Sequence, residues 1–278
     1  MPSVPMPEPL RERARAHAEG RVEVVEPKAA ATVVLLRDGA AGPEAYLLRR
    51  VGSMAFAAGM HVFPGGGVDP RDGEQRTPWA GPDPAAWSGH FSADPQLVRA
   101  LVCAAVRETF EESGVVLAGP HADDVVADVS GEDWEADRLA LLDREVSLSE
   151  LLARRGLVLR ADLLRPWAHW ITPEFEPRRY DTRFLVAALP AGQRTRHVGG
   201  EADRVQWIRP ADAVARFSAG ELAMLPPTVV VLRELAAYGS VAEVLAGADS
   251  RTITPVMPHA DLRGDEPRLV LPPGVLPG

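Results

Sequence analysis

Four charged side chains interrupt an otherwise apolar run at residues 107–112: Arg107, Glu108, Glu111 and Glu112, within RETFEESG. On a helix, offsets of three and four put the three glutamates on one face. Carboxylates so placed repel one another, and a multivalent cation relieves that repulsion. Upstream, MHVFPGGGVDPRD places three consecutive glycines, Gly65 to Gly67, where an apolar strand ends. Glycine permits unusual backbone angles and a close approach of ligand to backbone. A glycine loop followed by a carboxylate-bearing helix suits a divalent cation held beside an anionic ligand.

Other chemistries are disfavoured by what is missing. Lys28 is the sole lysine, so a lysine-bearing phosphate loop is excluded and any phosphate clamp would use arginine forks. Cys103 is the sole cysteine and lies in the apolar run ALVCAAV, which leaves no disulfide or thiolate cluster and makes it a packing residue. The seven histidines lack the HExxH spacing of a zinc site, and no G-x-S-x-G elbow occurs. His61, beside the glycines, is expected to make a structural hydrogen bond. A net charge of -9 argues against a nucleic-acid polymer as partner. No run reaches the roughly 18 apolar residues of a membrane span, and the N-terminus lacks a signal-peptide core. A soluble, cytoplasmic protein is expected.

The elements that must position these residues can be read from punctuation and period. Residues 1–27 are proline-rich and then charged, which suggests a tail with a short helix over residues 9–18. ATVVLLRD and EAYLLRRV, separated by DGAAGP, read as a β-hairpin. The stretch at about 73–93, rich in Gly, Pro and Trp, reads as an inserted loop, with Trp79, Trp87 and Phe91 expected to pack on the domain. Asp94 and Pro95 signal a helix start and Gly114 its stop. Residues 132–153 read as helical, with a capping box at Ser147 and Glu150. LLRPWAHWITP, TRFLVAALP and RVQWIRP read as strands. Helices are expected after Pro210, after Pro226 and Pro227, and after a second capping box at Ser240 and Glu243, and LVLPPG could add an edge strand.

With these residues in place, the chain resembles a Nudix hydrolase. The family box is G-x5-E-x7-R-E-U-x-E-E-x-G-U, where U is aliphatic. Residues 107–115 supply its second half, with Thr109 and Val115 at the aliphatic positions, and Gly66 leads the first half. Asp72 stands where glutamate is expected, and 34 residues separate it from Arg107 where the family pattern has seven. The extra length coincides with the inserted loop, which costs little in closure entropy. Arg50, Gly59 and FPGG match part of the pattern that precedes the box in coenzyme A diphosphatases, although Val51 and Ala55 replace its serine and second arginine. WITPEFEPRRYDTRF and LPPT, at residues 170–184 and 225–228, resemble the peroxisomal coenzyme A diphosphatase branch of the family.

The resemblance implies an α/β fold, a Nudix-type α/β/α sandwich with a mixed central sheet, a box insertion and additional C-terminal helices. It divides the chain into an N-terminal tail (1–27), a Nudix domain (28–217) and a C-terminal helical extension packed on it (218–278). It implies Mg2+ or Mn2+ as cofactor and cleavage of the pyrophosphate in a small organic diphosphate, with coenzyme A or its acyl derivatives as candidates. A nucleotide-sugar or dinucleotide pyrophosphatase and a non-catalytic nucleotide-binding regulator are the alternatives. Glu108, Glu111 and Glu112 would hold metal, Glu108 could instead orient or deprotonate the attacking water, and Arg107 would pair with a carboxylate. Glu201 is the first candidate for a distal ligand, with Glu174 and Glu176 behind it. Arg50, Gly65, Gly66, Arg178, Arg179 and Arg183 are the candidate substrate contacts. A homodimer is compatible with the family.

Overall fold

A computed structural model describes residues 3–52, 57–74, 76–196, 202–263, 266–272 and 275. The chain opens with β1 (Ser3–Pro5) and α1 (Glu8–Ala18), followed by the expected hairpin, β2 (Lys28–Gly39) and β3 (Gly42–Arg50). Two short strands, β4 (His61–Val62) and β5 (Gly65–Gly67), pair with β3 and β2 respectively. A 3-10 turn (Pro70–Gly73), β6 (Trp79–Ala80) and α2 (Pro84–Phe91) lead into the long helix α3 (Pro95–Ser113). Then come β7 (Ala118–Gly119), α4 (Glu132–Leu142), α5 (Leu148–Arg155), β8 (Val158–Arg160), β9 (Leu164–Ile171) and β10 (Tyr180–Ala188). β11 (Ala202–Ile208), α6 (Pro210–Ser218), α7 (Pro226–Leu235), α8 (Val241–Asp249), β12 (His259–Asp261) and β13 (Arg268–Val270) complete it.

The central sheet runs β11-β3-β2-β10-β9, with β2 and β10 parallel and the other neighbours antiparallel. Successive strand residues face opposite sides, and β2 shows how the two layers arise. Ala31, Val33 and Leu35 pack with Leu101, Val102 and Ala105 of α3. Val34 and Leu36 pack with Val230, Val231 and Leu235 of α7. The sheet is therefore covered on both faces, and the expected α/β/α sandwich with a mixed sheet is found. Ala213 of α6 and residues of α7 and α8 share one core with this face of the sheet.

Two expectations are corrected. Within the expected N-terminal tail, residues 3–18 are held in place: β1 pairs with β13, and Met6 and Ala14 are buried against Phe175 and Leu269. The segment at 73–93 is not a plain loop. Asp83 caps α2 by accepting the Ala85 N–H at 2.8 Å, and Trp87 and Phe91 meet edge-on in the core beneath α3. Its buried residues, Pro84, Trp87 and Phe91, do fall at helical spacing, but eight residues after a Gly- and Pro-rich stretch are too few for the period to stand out.

Helix ends follow the punctuation closely. Ser147 and Glu150 form a reciprocal capping box. Ser240 accepts the Glu243 N–H, but the Glu243 carboxylate takes the Gly239 N–H, so the second box is only half made. Among the described residues no helix is long and apolar enough to cross a membrane.

Candidate active site

Helix α3 brings the charged residues to the site. Asp94 accepts the Leu97 N–H at 2.9 Å, Pro95 occupies the first turn, and Gly114 ends the helix in the left-handed region at φ 72°. A side chain at Gly114 would also strike the aliphatic part of Arg196. Most of α3 is buried on several sides, so its register is set by packing along nearly its whole length. The carboxylates near its C-terminal end inherit that rigidity. Cys103 lies in this buried stretch, and burial pushes its thiol up to about 12, as expected of an inert packing residue.

Arg107 is the hub of the charged end. It donates to Asp72 at 2.9 and 3.0 Å, to Glu108 at 2.8 Å, to Glu111 at 3.1 Å and to the Gly67 carbonyl at 2.9 Å. Burial works against its charge, but the surrounding carboxylates outweigh it and raise its pKa. Asp72, though one methylene shorter than glutamate, reaches the guanidinium because it sits in the 3-10 turn. Its Oδ2 also accepts the Asp69 N–H at 2.8 Å, closing a capping box. Burial raises the pKa of Asp72 and carries that of Glu111 up to about 7, with Arg107 pulling the other way in both cases.

Glu108 and Glu112 face the glycine strand instead. The Gly65 N–H donates to Glu112 Oε2 at 2.8 Å. A Cβ on Gly66 would stand 2.4 Å from Glu108 Oε1, so only glycine lets backbone and carboxylate approach this closely. Burial, then the nearby charge of Glu112, raises the pKa of the Tyr46 phenol. Both glutamates and Gly65–Gly67 line a cavity of about 630 Å³ that also contains Thr32 and Arg50. That volume lies within the usual range for small-molecule sites. Glu111 is buried, pairs with Arg107 and is absent from the lining. Among the described residues no three His, Cys, Asp or Glu side chains already converge as a metal site. Two hard carboxylates on a cavity wall nevertheless suit Mg2+ or Mn2+, which keep waters and share substrate phosphates.

The arginines divide. Arg50 lines the cavity. Arg178 is exposed, while Arg179 and Arg183 are buried, and none of the three lines it. Arg179 donates to the carbonyls of Thr172 and Val25 at 3.0 and 2.7 Å. Arg183 donates to the Phe91 carbonyl at 3.0 and 2.9 Å and pairs with Asp181 at 2.5 Å. The expected phosphate role of these three is therefore corrected: Arg179 and Arg183 hold backbone in place, and Arg178 faces solvent. Phe91 is the last residue of α2, so Arg183 also meets the negative end of a helix dipole.

Of the distal candidates, Glu201 lies outside the described residues. Glu174 is exposed, 3.9 Å from His17. Glu176 does line the cavity, where Arg13 reaches it at 2.6 Å. His61 is buried, with its ring 3.4 Å from the Ala223 carbonyl, and burial lowers its pKa. Trp79, Trp87 and Phe91 are absent from the lining and pack on the domain. Pro7, Pro9, Leu10 and Arg13 line the cavity although their sequence carries no chemical signal. Thr172, Tyr180 and Thr182 do so within the segment already singled out, and a period of two along β10 was the available clue.

A family model described as the NUDT19 Nudix domain matches residues 86–235. Acyl-coenzyme A diphosphatase NUDT19 from Gallus gallus is 26% identical over 256 residues, covering 76% of this chain and 65% of that protein. The Xenopus laevis protein of the same name is 24% identical over 238 residues, covering 72% and 62%. The chain thus spans just under two thirds of the length of these curated relatives. Among solved structures, a NUDIX hydrolase from Alicyclobacillus acidocaldarius is 30% identical, with a TM-score of 0.68 and coverage of 81% of this chain and 97% of that one.

Proposed function

Because the chain belongs to the Nudix hydrolase family, we propose that it is a divalent-metal-dependent diphosphatase that cleaves the pyrophosphate of coenzyme A or its acyl thioesters. The observation that carries this reading is the placement of Glu108 and Glu112 against Gly65–Gly67 on the wall of a cavity large enough for a nucleotide-linked substrate. The relatives named acyl-coenzyme A diphosphatase support the choice of substrate.

Nudix hydrolases generally need divalent metal ions. Glu108 and Glu112 would hold Mg2+ or Mn2+, with Glu111 available as a third carboxylate on release from Arg107. A bound divalent ion neutralises charge on the diphosphate and makes water more acidic. The protein's own contribution is geometric and electrostatic. Glu108, fixed at one oxygen by Arg107, orients the attacking water or accepts its proton through its carboxylate. The glycine strand lets phosphate approach the backbone, and Arg50 offers a guanidinium to a phosphate oxygen. Arg107 and Asp72 keep the glycine strand and the helix in register.

The test is product identity. Wild type with Mg2+ or Mn2+ is expected to convert coenzyme A into 4′-phosphopantetheine and adenosine 3′,5′-bisphosphate, and Glu112→Gln is expected to slow this by about 10³-fold. A strong preference for ADP-ribose or a nucleotide sugar would remove coenzyme A from the proposal. Metal-independent binding of a nucleotide with no turnover of any pyrophosphate would remove hydrolysis altogether.

A further inference from the structure

The cavity has a charged end and an apolar roof, and the two come from different parts of the chain. Its floor is one face of the central sheet, where Ala30 and Thr32 of β2 pair with Thr182 and Phe184 of β10. Helix α7 covers this face farther along, at Val34 and Leu36, but begins only at Pro226. Beyond it the roof is supplied by Pro9 and Leu10 of α1, Leu269 of β13, Phe175 and Pro258. The pairing of β1 with β13 joins these two contributions, and the Arg13–Glu176 ion pair ties α1 to the loop between β9 and β10. Neither α1 nor β13 falls within residues 86–235, the span of the family match.

We infer that this roof is a specificity element that binds the acyl-pantetheine arm of the substrate, its apolar side chains lying along the alkyl portion. The inference rests on the proposed action on coenzyme A thioesters. A diphosphate loses its hydration without compensation against Pro9, Leu10 and Phe175, and the Arg13 guanidinium beside them is already paired with Glu176, whereas an alkyl chain gains nothing beside Glu108 and Glu112. The two ends therefore admit the substrate in one orientation, with the reacting phosphorus at the carboxylates and the chain beneath the roof. Each methylene that the roof removes from water favours binding by roughly fourfold.

The test is a chain-length series, acetyl-, octanoyl- and lauroyl-coenzyme A, on the full chain with Mg2+. Wild-type KM is expected to fall as the chain lengthens until the roof is filled. Leu10→Arg and Pro9→Arg place a charge there and are expected to raise KM by more than about tenfold for lauroyl-coenzyme A, less for octanoyl and least for acetyl. Pro9 is exposed as well as lining the cavity, so its replacement removes little packing. A loss of folded protein would scale all three substrates equally and cannot produce this gradient. A flat wild-type series, or a chain-length dependence that survives both variants, overturns the roof assignment while leaving the diphosphatase reading intact. No cleavage of any of the three overturns both.

Discussion

Two arginine- and carboxylate-rich segments, RETFEESG on α3 and EFEPRRYDTRF leading into β10, look equally suited to phosphate chemistry, and the fold treats them oppositely. In the first, one guanidinium is shared by three carboxylates, Asp72, Glu108 and Glu111, and Glu108 and Glu112 stand on the cavity wall. In the second, charges are consumed. Arg179 is bonded to two carbonyls, and Asp181 receives both His169 and Arg183 at 2.5 Å. Burial of charge is tolerated when it is paired and bonded, and such a group stabilises a conformation without doing chemistry. An imbalance kept beside a cavity is costly to the fold, and that cost marks the place where a ligand supplies the missing charge.

Substitutions can break this contrast. Glu112→Gln is expected to lower turnover by about 10³-fold, at the upper end of what loss of one electrostatic group at a reacting centre costs. Thermal denaturation should show Tm unchanged or raised, because a repelling charge has been removed. A drop in Tm with activity retained would place Glu112 among the structural groups. Arg183→Ala is the converse. Removing one partner of a buried pair costs about 3–5 kcal/mol, which corresponds to a fall in Tm on the order of 10 °C. Turnover per folded molecule, measured well below that Tm, should remain close to wild type.

Gly66→Ala probes the contact between the glycine strand and Glu108 of the first segment. The added carbon must displace the Glu108 carboxylate, and a misplacement of about 1 Å can cost on the order of 100-fold in rate. Restoration of turnover to wild-type level in this variant would show that Glu108 is not positioned by that contact. The smallest effect is the pH dependence of Asp181. Despite burial, hydrogen bonds from His169 and Arg183 hold its pKa below the ordinary 3.8. Its ionised form is thus preferred in the folded state, so its contribution to stability is full above about 3.8 and is lost as pH falls through the lower folded value. The Tm gap between wild type and Asp181→Asn should be wide near neutrality and close in acid. A gap independent of pH would mean that packing, not charge, is lost in the variant.

The parts of this contrast that sequence made legible are those governed by local rules. The start of α3 at Asp94, its end at Gly114, the hairpin of β2 and β3, and the shared face of the glutamates all follow from caps, turns and helical spacing. Arg50, Gly65 and Gly66 were also placed where the cavity lies. The roles of Arg179 and Arg183 were not legible, because a buried arginine bonded to carbonyls has the same sequence signature as one awaiting phosphate. Helix α2 was hidden by its shortness and by a proline-rich approach. The contribution of α1 was hidden by distance, since nothing in PMPEPLRERARAHA indicates that it closes over Phe175 and Leu269.

The register that sets Ser3 opposite Val270 also bears on the order of assembly. Contacts between segments remote in sequence pay their loop-closure entropy before they are rewarded. During synthesis β13 emerges after every element of the central sheet and after α3, so β1 must wait for its partner while the sandwich and its carboxylates can already be in place. A nascent or truncated chain that lacks β13 would then carry its carboxylates over a sheet floor, at Ala30, Thr32, Thr182 and Phe184, from which the Leu269 part of the roof is missing.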